Sequence, residues 1–357
     1  MHIKKLASIT ILLFAIILNL FACKNNVEQP STSEPENQIH AKQEYTYVAL
    51  DTQCTITVYN TSGSDFGQIA EAATNRYADL FGTGQANHLY RVGPENSILK
   101  LDADRYAIFK KANEVSQLSE GAFDITVGAL TDLWQINTAT QPPTDTDIMS
   151  AKEKVDYHKL IFDDSLSQIY LSEVGQCLEV GGIAKGYIGQ HVADELKKAG
   201  YLCGIVDLGG NITVFGKRSD TDVFKVGIRS PLRADGVSSD IVGEISCHDT
   251  SIITSGAYER YFDYEGKRYH HIIDPKIGYP AESDLISVTI VSADGVYADA
   301  LSTAVFVKGL EGSVDMLNTA IQNGYITGAV LINSRCKVYV MGDISFQLTN
   351  SNFSGQF

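Results

Sequence analysis

Apolar residues recur at Phe66, Ile69, Ala73, Tyr77 and Leu80, the three-to-four spacing of one buried helical face, and predict a helix over 66–81. The same spacing runs through 104–118 at Ile108, Ala112, Val115 and Leu118, with Gly121 just past the end. A third helix is expected over 185–199, where Ile188, Val192 and Leu196 share a face and Gly200 marks the stop. Leu301 and Val305 give the segment around Asp299 helical spacing as well. Elsewhere the period shortens. Residues 47–59 alternate as a strand does, and short runs at 203–207, 211–216, 223–228, 286–292, 326–333 and 336–341 read as further strands. Consecutive short strands favour antiparallel pairing with helices packed on the sheet, so the expected class is α+β. No internal repeat is visible, and no linker follows residue 45; Gln141 to Asp147, with Pro142-Pro143, is the expected loop.

The N-terminus breaks this pattern. Lys4 and Lys5 precede an apolar run from Leu6 to Phe21, and Leu20-Phe21-Ala22-Cys23 resembles a bacterial lipoprotein processing box. Residues 1–22 are therefore expected to be a signal peptide, leaving Cys23 as a lipidated first residue. An uncleaved anchor needs about 20 apolar residues, more than this run supplies. Residues 23–44 are polar, with Pro, Ser, Asn, Glu and Gln, and read as a tether that cannot bury enough apolar surface to fold. The body, 45–357, is then expected outside the cytoplasmic membrane, facing the periplasm and held to a lipid surface, with inner or outer membrane left open.

Formal net charge is −15, which argues against nucleic acid as a partner and means that an anionic ligand needs a local cation. Cys54, Cys177, Cys203, Cys247 and Cys336 are scattered without a CxxC pair. They read as buried small apolar residues rather than a zinc site, with one or two disulfides left open.

The densest chemistry lies between Tyr269 and Thr303. Tyr269-His270-His271-Ile272-Ile273-Asp274-Pro275 is followed by Gly278-Tyr279-Pro280 and then by Ala298-Asp299-Ala300-Leu301-Ser302-Thr303. Asp299 and Thr303, four apart, project oxygens from one helical face and suit a hard cation such as Mg2+. The plainer alternative is a helix N-terminus that Asp299 helps to cap. Three other clusters stand out: Glu120 to Gly128, Glu179-Val180-Gly181-Gly182-Ile183-Ala184-Lys185-Gly186, and Thr254-Ser255-Gly256-Ala257-Tyr258-Glu259-Arg260-Tyr261. The first is either a close backbone approach to a ligand or a helix cap leading into a strand. The second sets a helix N-terminus and Lys185 where phosphate binds, without matching a Walker or Rossmann pattern. The third is a nest or a strand-entry turn.

In order and spacing these blocks resemble the ApbE family of bacterial FAD:protein FMN transferases, over roughly residues 45–345. The specific parts are Gly-Gly-Ile-Ala-Lys-Gly, Thr-Ser-Gly-x-Tyr-Glu-Arg, His-His-Ile-Ile-Asp-Pro-x-x-Gly-Tyr-Pro and Ala-Asp-Ala-x-x-Thr-Ala. The resemblance implies a T-fold-like architecture and Mg2+-dependent transfer of FMN from FAD to a Thr or Ser hydroxyl of a target protein, releasing AMP. Extracytoplasmic subunits of redox-driven ion pumps are the implied acceptors. It also implies a metal held by Asp299, Thr303 and the backbone oxygen of Gly182, with Ser302 at a position that is acidic in some members. Glu179 and Lys185 match flavin-nucleotide contacts; Leu50, Tyr90, Ala122, Phe123, Asp124 and Ile273 match other FAD-contacting positions. The chain departs from the family pattern at Glu179, where Asp is usual, at Leu50-Asp51-Thr52 in place of Met-Gly-Thr, and at Lys276-Ile277 in place of Arg-Thr.

The chemistry asks for these parts on its own account. A hydroxyl is a poor nucleophile towards a pyrophosphate unless the charge is neutralised and its proton leaves, and a neutral imidazole is suited to take that proton. His271 is the expected base, with His270 orienting or packing, and Asp274 either fixing the tautomer or forming the Asp-Pro turn. An FAD pyrophosphatase that uses water, and a non-catalytic flavin-binding lipoprotein, are the competing readings.

Overall fold

The computed structural model describes residues 42–59, 61–81, 88–91, 98–218, 223–232 and 240–356, with 88–91 and 356 as backbone only. The expected signal peptide, Cys23 and the tether through 41 lie outside these residues.

The chain opens with a hairpin, β1 (Lys42–Ala49) and β2 (Thr52–Tyr59), followed by α1 (Phe66–Leu80). Strand β1 thus includes the last three residues of the segment expected as tether. The single strand expected over 47–59 is broken at Leu50 and Asp51, whose φ values of 54° and 56° close a two-residue turn. Next come β3 (His88–Arg91), β4 (Ile98–Lys100), α2 (Ala103–Leu118), α3 (Gly128–Trp134) and α4 (Asp145–Lys152). The expected loop at 141–147 therefore gives way to a helix at Asp145, which the Thr144 side chain caps. Strands β5 (Leu160–Asp163), β6 (Gln168–Leu171) and β7 (Cys177–Glu179) lead to α5 (Ala184–Lys198). Then follow β8 (Gly204–Leu208), β9 (Asn211–Phe215), β10 (Phe224–Arg229), β11 (Ile241–Cys247), β12 (Thr250–Ser255), β13 (Tyr261–Tyr264), β14 (Lys267–His270) and β15 (Leu285–Ser292). The chain ends with α6 (Gly295–Gln322), β16 (Gly328–Asn333), β17 (Lys337–Gly342), β18 (Ser345–Leu348) and β19 (Ser354–Gln356).

Nine strands form the main sheet in the order β1-β2-β8-β9-β12-β15-β16-β17-β19. Every pairing in it is antiparallel except β17 with β19. The class is α+β, as the succession of short strands predicts. One face of the sheet is covered by α1, α5 and α6, where Ile253, Ile290 and Leu331 meet Ile188, Val192 and Leu301. The other face sends Ile252, Val291, Val330 and Ile332 against Phe224, Val226 and Ile245 of the small β10-β11-β18 sheet. Burial on both faces makes β16 a nearly continuous apolar run and intersperses β15 only with buried Ser and Thr, which is why 286–292 and 326–333 are legible without alternation.

A third cluster packs Leu130, Trp134, Ile148 and Ile273 together with Phe262 and Tyr269 of the β13–β14 hairpin. The Trp134 indole N–H donates to the Gly278 carbonyl at 2.8 Å, tying α3 to the Asp-Pro turn.

Helices α5 and α6 are set against each other without intervening side chains. At their crossing a side chain on Gly186 would place its Cβ 2.0 Å from the Gly295 carbonyl oxygen, so the backbones meet directly. Helix α6 is capped by the Asp294 side chain on the Val296 amide and interrupted at Gly309 (φ 71°, ψ −179°). Its outer half restarts with the Leu310 amide donating to Asp284 Oδ1 at 2.9 Å. All five cysteines of the body are unbridged thiols.

Candidate active site

A cleft of about 790 Å3 opens between the β1–β2 turn, the segment between α2 and α3, the β7–α5 junction, the start of α6 and the loops on either side of the β13–β14 hairpin. Leu50, Ala122, Phe123, Asp124 and Ile273 line it, as do Glu179, Gly182, Lys185, His271, Asp299 and Thr303. Residues spread over some 250 positions of sequence therefore share one chamber. Tyr90 pairs with Leu178 in the β3–β7 ladder, next to Glu179, and its side chain lies outside the described residues.

His271 follows β14 directly. Its amide donates to the Arg260 carbonyl at 3.1 Å, and the same carbonyl stands 3.3 Å from Nδ1. A carbonyl only accepts, so this contact puts the ring proton on Nδ1 and leaves Nε2 as the basic nitrogen. Burial, followed by the charge of Arg260, holds the imidazole well below its ordinary pKa, and the ring is neutral at pH 7. The Nδ1 partner is that carbonyl rather than Asp274, whose carboxylate accepts the Lys276 amide at 2.8 Å and shapes the turn. His270 is a packing residue, with Nε2 3.0 Å from the Ala281 carbonyl and its ring edge-on to Phe306.

Asp299 sits one turn inside α6, and Asp294 rather than Asp299 caps that helix. Its Oδ2 accepts the Gly186 amide at 2.9 Å. Burial raises its pKa to about 6, against the pull of that amide, of Lys185, of Asn211 and of Arg260. Thr303, one turn on, faces the same chamber. Ser302 is fully buried, and its hydroxyl is engaged with the Asp299 carbonyl and with Ser255 Oγ, both at 2.7 Å. It stands behind the wall that Asp299 and Thr303 present.

Glu179 ends β7. Its two oxygens accept the Gly181 amide at 2.7 Å and the Thr131 hydroxyl at 2.9 Å. Burial still lifts its pKa to about 7. Asp124 is held by its own loop, with the Thr126 amide at 2.8 Å, the Thr126 hydroxyl at 2.7 Å and the Tyr157 amide at 3.1 Å. Both readings of 120–128 apply in part: Gly121 (φ 79°) ends α2, and 122–124 form cleft wall. No strand follows, because the chain turns into α3.

The phosphate site expected at the start of α5 changes character. The Ala184 amide donates to the Val180 carbonyl and the Gly186 amide to Asp299, so two first-turn donors are engaged within the protein. The positive charge comes from side chains instead. Lys185 and Arg260 both line the cleft, and burial together with their mutual repulsion lowers both pKa values. Arg260, Thr131 and Asn211 are cleft residues that sequence reasoning does not select. Only Arg260 carries a signal, as the last residue of the Thr-Ser-Gly-x-Tyr-Glu-Arg block. That block is the end of β12 and the turn into β13, with Thr254 Oγ1 2.8 Å from Thr289 Oγ1.

The sequence pattern of the ApbE family matches residues 50–326. A FAD:protein FMN transferase of Klebsiella pneumoniae is 33% identical over 207 residues, 58% of this chain and 63% of that protein. One of Treponema pallidum is 36% identical over 231 residues, 61% and 63% of the two chains. The chain thus spans about 63% of the length of these two relatives. The crystal structure of the ApbE protein of Thermotoga maritima, 27% identical, superposes with a TM-score of 0.69 over 85% of this chain and 96% of that one. The apo flavinyl transferase ApbE of Pseudomonas stutzeri, 23% identical, shares the fold with a TM-score of 0.65 over 87% and 96%. The family pattern covers the cleft from Leu50 through Thr303, and the chain belongs to the ApbE family.

Proposed function

We propose that this chain transfers FMN from FAD to a Thr or Ser hydroxyl of an extracytoplasmic target protein, releasing AMP, with Mg2+ as the metal. The observation that carries the reading is the shared cleft, lined by a neutral imidazole, a carboxylate–hydroxyl pair and two cations.

The residues fit the implied metal. Asp299 and Thr303 offer hard oxygens on one wall, and a Cβ on Gly182 would lie 3.6 Å from Thr303 Oγ1, so that backbone adjoins them. A carboxylate pushed towards neutrality by burial is stabilised by a counter-charge, and two of its neighbours, the Gly186 amide and Lys185, already favour the ionised form. Ser302 has its hydroxyl engaged with the Asp299 carbonyl and Ser255, so Asp299 and Thr303 are the side chains of this proposal. Mg2+ held there would neutralise charge on the pyrophosphate and act as a Lewis acid towards its oxygens.

In this mechanism Lys185, on the cleft wall, supplies positive charge towards the pyrophosphate. His271 Nε2 takes the acceptor proton as that oxygen bonds to the phosphorus on the riboflavin side. The bond from that phosphorus to the bridging oxygen breaks, and AMP leaves with both electrons and that oxygen. Leu50, Phe123 and Ile273 give the chamber apolar walls suited to an isoalloxazine ring and to the exclusion of water. Lipid attachment at Cys23 belongs to the same proposal and rests on the Leu20-Phe21-Ala22-Cys23 box.

The test mixes the detergent-solubilised full chain with FAD, Mg2+ and candidate acceptors from the same organism. An acceptor heavier by one FMN, with AMP released in step, is the expected result. Free FMN and AMP without an adduct would make the protein a pyrophosphatase, and intact bound FAD a carrier.

A further inference from the structure

Arg260 combines two properties within one residue. Its carbonyl fixes His271 through the ring and the amide, at 3.3 Å and 3.1 Å. Its side chain lines the cleft, and no hydrogen bond or ion pair to the described residues holds its guanidinium. Arg105 and Arg268, by contrast, each pair with a carboxylate. Four acids act on its charge, Glu179, Asp51, Glu259 and Asp299, and none of them forms an ion pair with it among the described residues; Glu179 accepts from Gly181 and Thr131, and Asp299 from Gly186. Lys185 likewise has no such partner among the described residues.

Two half-buried cations lining one chamber are costly. Each loses hydration, and each repels the other. A protein of net charge −15 has abundant carboxylates with which to pair them and does not do so here. The arrangement is stabilised when a multivalent anion enters, and a planar guanidinium that presents several N–H donors matches phosphoryl oxygens.

We propose that the Arg260 guanidinium binds the pyrophosphate of the nucleotide jointly with Lys185, while the Arg260 carbonyl sets the His271 tautomer. Substrate charge and base orientation are then managed by one residue. The inference rests on the FAD reading, and the experiment separates the two. Arg260→Gln and Arg260→Lys both keep the carbonyl and change only the head group. Dissociation constants for FAD and for riboflavin, which lacks phosphate, are measured by flavin fluorescence on the full-length protein, with inorganic pyrophosphate as competitor.

Arg260→Gln is expected to weaken FAD by about ten- to a hundredfold, the span of a lost charged hydrogen bond, and to leave riboflavin within about twofold. Arg260→Lys recovers part of the loss, and pyrophosphate competes less well against Arg260→Gln. Equal weakening of FAD and riboflavin assigns Arg260 a structural role and overturns the proposal, as does unchanged FAD affinity. A wild type that binds FAD with this Arg260 dependence but never flavinylates an acceptor removes the transferase reading alone. One that binds neither FAD nor pyrophosphate removes both.

Discussion

The Gly186 amide donates to Asp299 Oδ2 at 2.9 Å across the crossing of two helices, α5 and α6. The bond exists because neither helix carries a side chain where they touch. An added Cβ on Gly186 would meet the Gly295 carbonyl oxygen at 2.0 Å, against backbone that cannot yield. Gly186→Ala is expected to destabilise the fold by about 3 kcal/mol in urea titration and to pull the amide away from Asp299. A variant of wild-type stability would mean that the helices part freely.

His271→Ala should lower transfer by about two to four orders of magnitude while FAD affinity stays near wild type. Unchanged transfer in stopped reactions removes His271 as the base. Its depressed pKa carries a sign as well. Because the folded protein favours the neutral ring, the His271 signal in an NMR titration should stay at its neutral position as pH falls through 6.5, where an ordinary histidine is half protonated.

Asp299→Asn keeps the shape of the side chain and removes its charge. Transfer is expected to fall by about a hundredfold or more, with Mg2+ stimulation lost. Thermal unfolding gives an independent readout. Mg2+ should raise the Tm of the wild type and leave the variant unmoved, while the metal-free variant should unfold at or above the wild-type Tm, since burial disfavours the ionised Asp299. Mg2+ protection surviving in the variant would move the metal elsewhere.

Glu179 titrates near 7 in the fold against an ordinary 4.5. The folded state holds this proton more tightly than the unfolded chain, so its contribution to stability is complete below about 4.5 and is lost as pH rises through 7. Glu179→Gln cannot lose it. The Tm difference, variant minus wild type, should therefore grow between pH 5 and pH 8, and Asp299 and Asp124 cancel because both proteins carry them. A constant difference would place the carboxylate in a better solvated setting.

The sequence makes legible whatever rests on local periodicity. Helices at 66–80, 103–118 and 184–198 show one apolar face each, and the last two are closed by glycines. The β1–β2 turn is invisible because Leu50-Asp51 occupies left-handed positions that Asn-Gly would advertise. Strand β12 is masked by its own Thr and Ser, whose hydroxyls find partners on β15 and α6. Among the candidate site residues, those carried by motifs with described side chains reach the cleft, apart from Ser302. Helical spacing alone cannot separate Ser302 from Thr303, because what divides them is the Ser255 hydroxyl, supplied by a distant strand. Thr131 and Asn211 belong to no local signal and enter only through tertiary packing.

The break at Gly309 gives helix α6 two mechanical regimes. The inner half, bearing Asp299 and Thr303, is fastened at its start by Asp294 and ends where the backbone leaves the helical path. The outer half is fastened separately, through Leu310 to Asp284. A continuous rod of this length would act as a lever, turning any displacement near Gln322 into rotation of the Asp299 carboxylate. Divided at Gly309, it has two separate anchors, and the site-bearing turns take their aim from Asp294 and the crossing with α5.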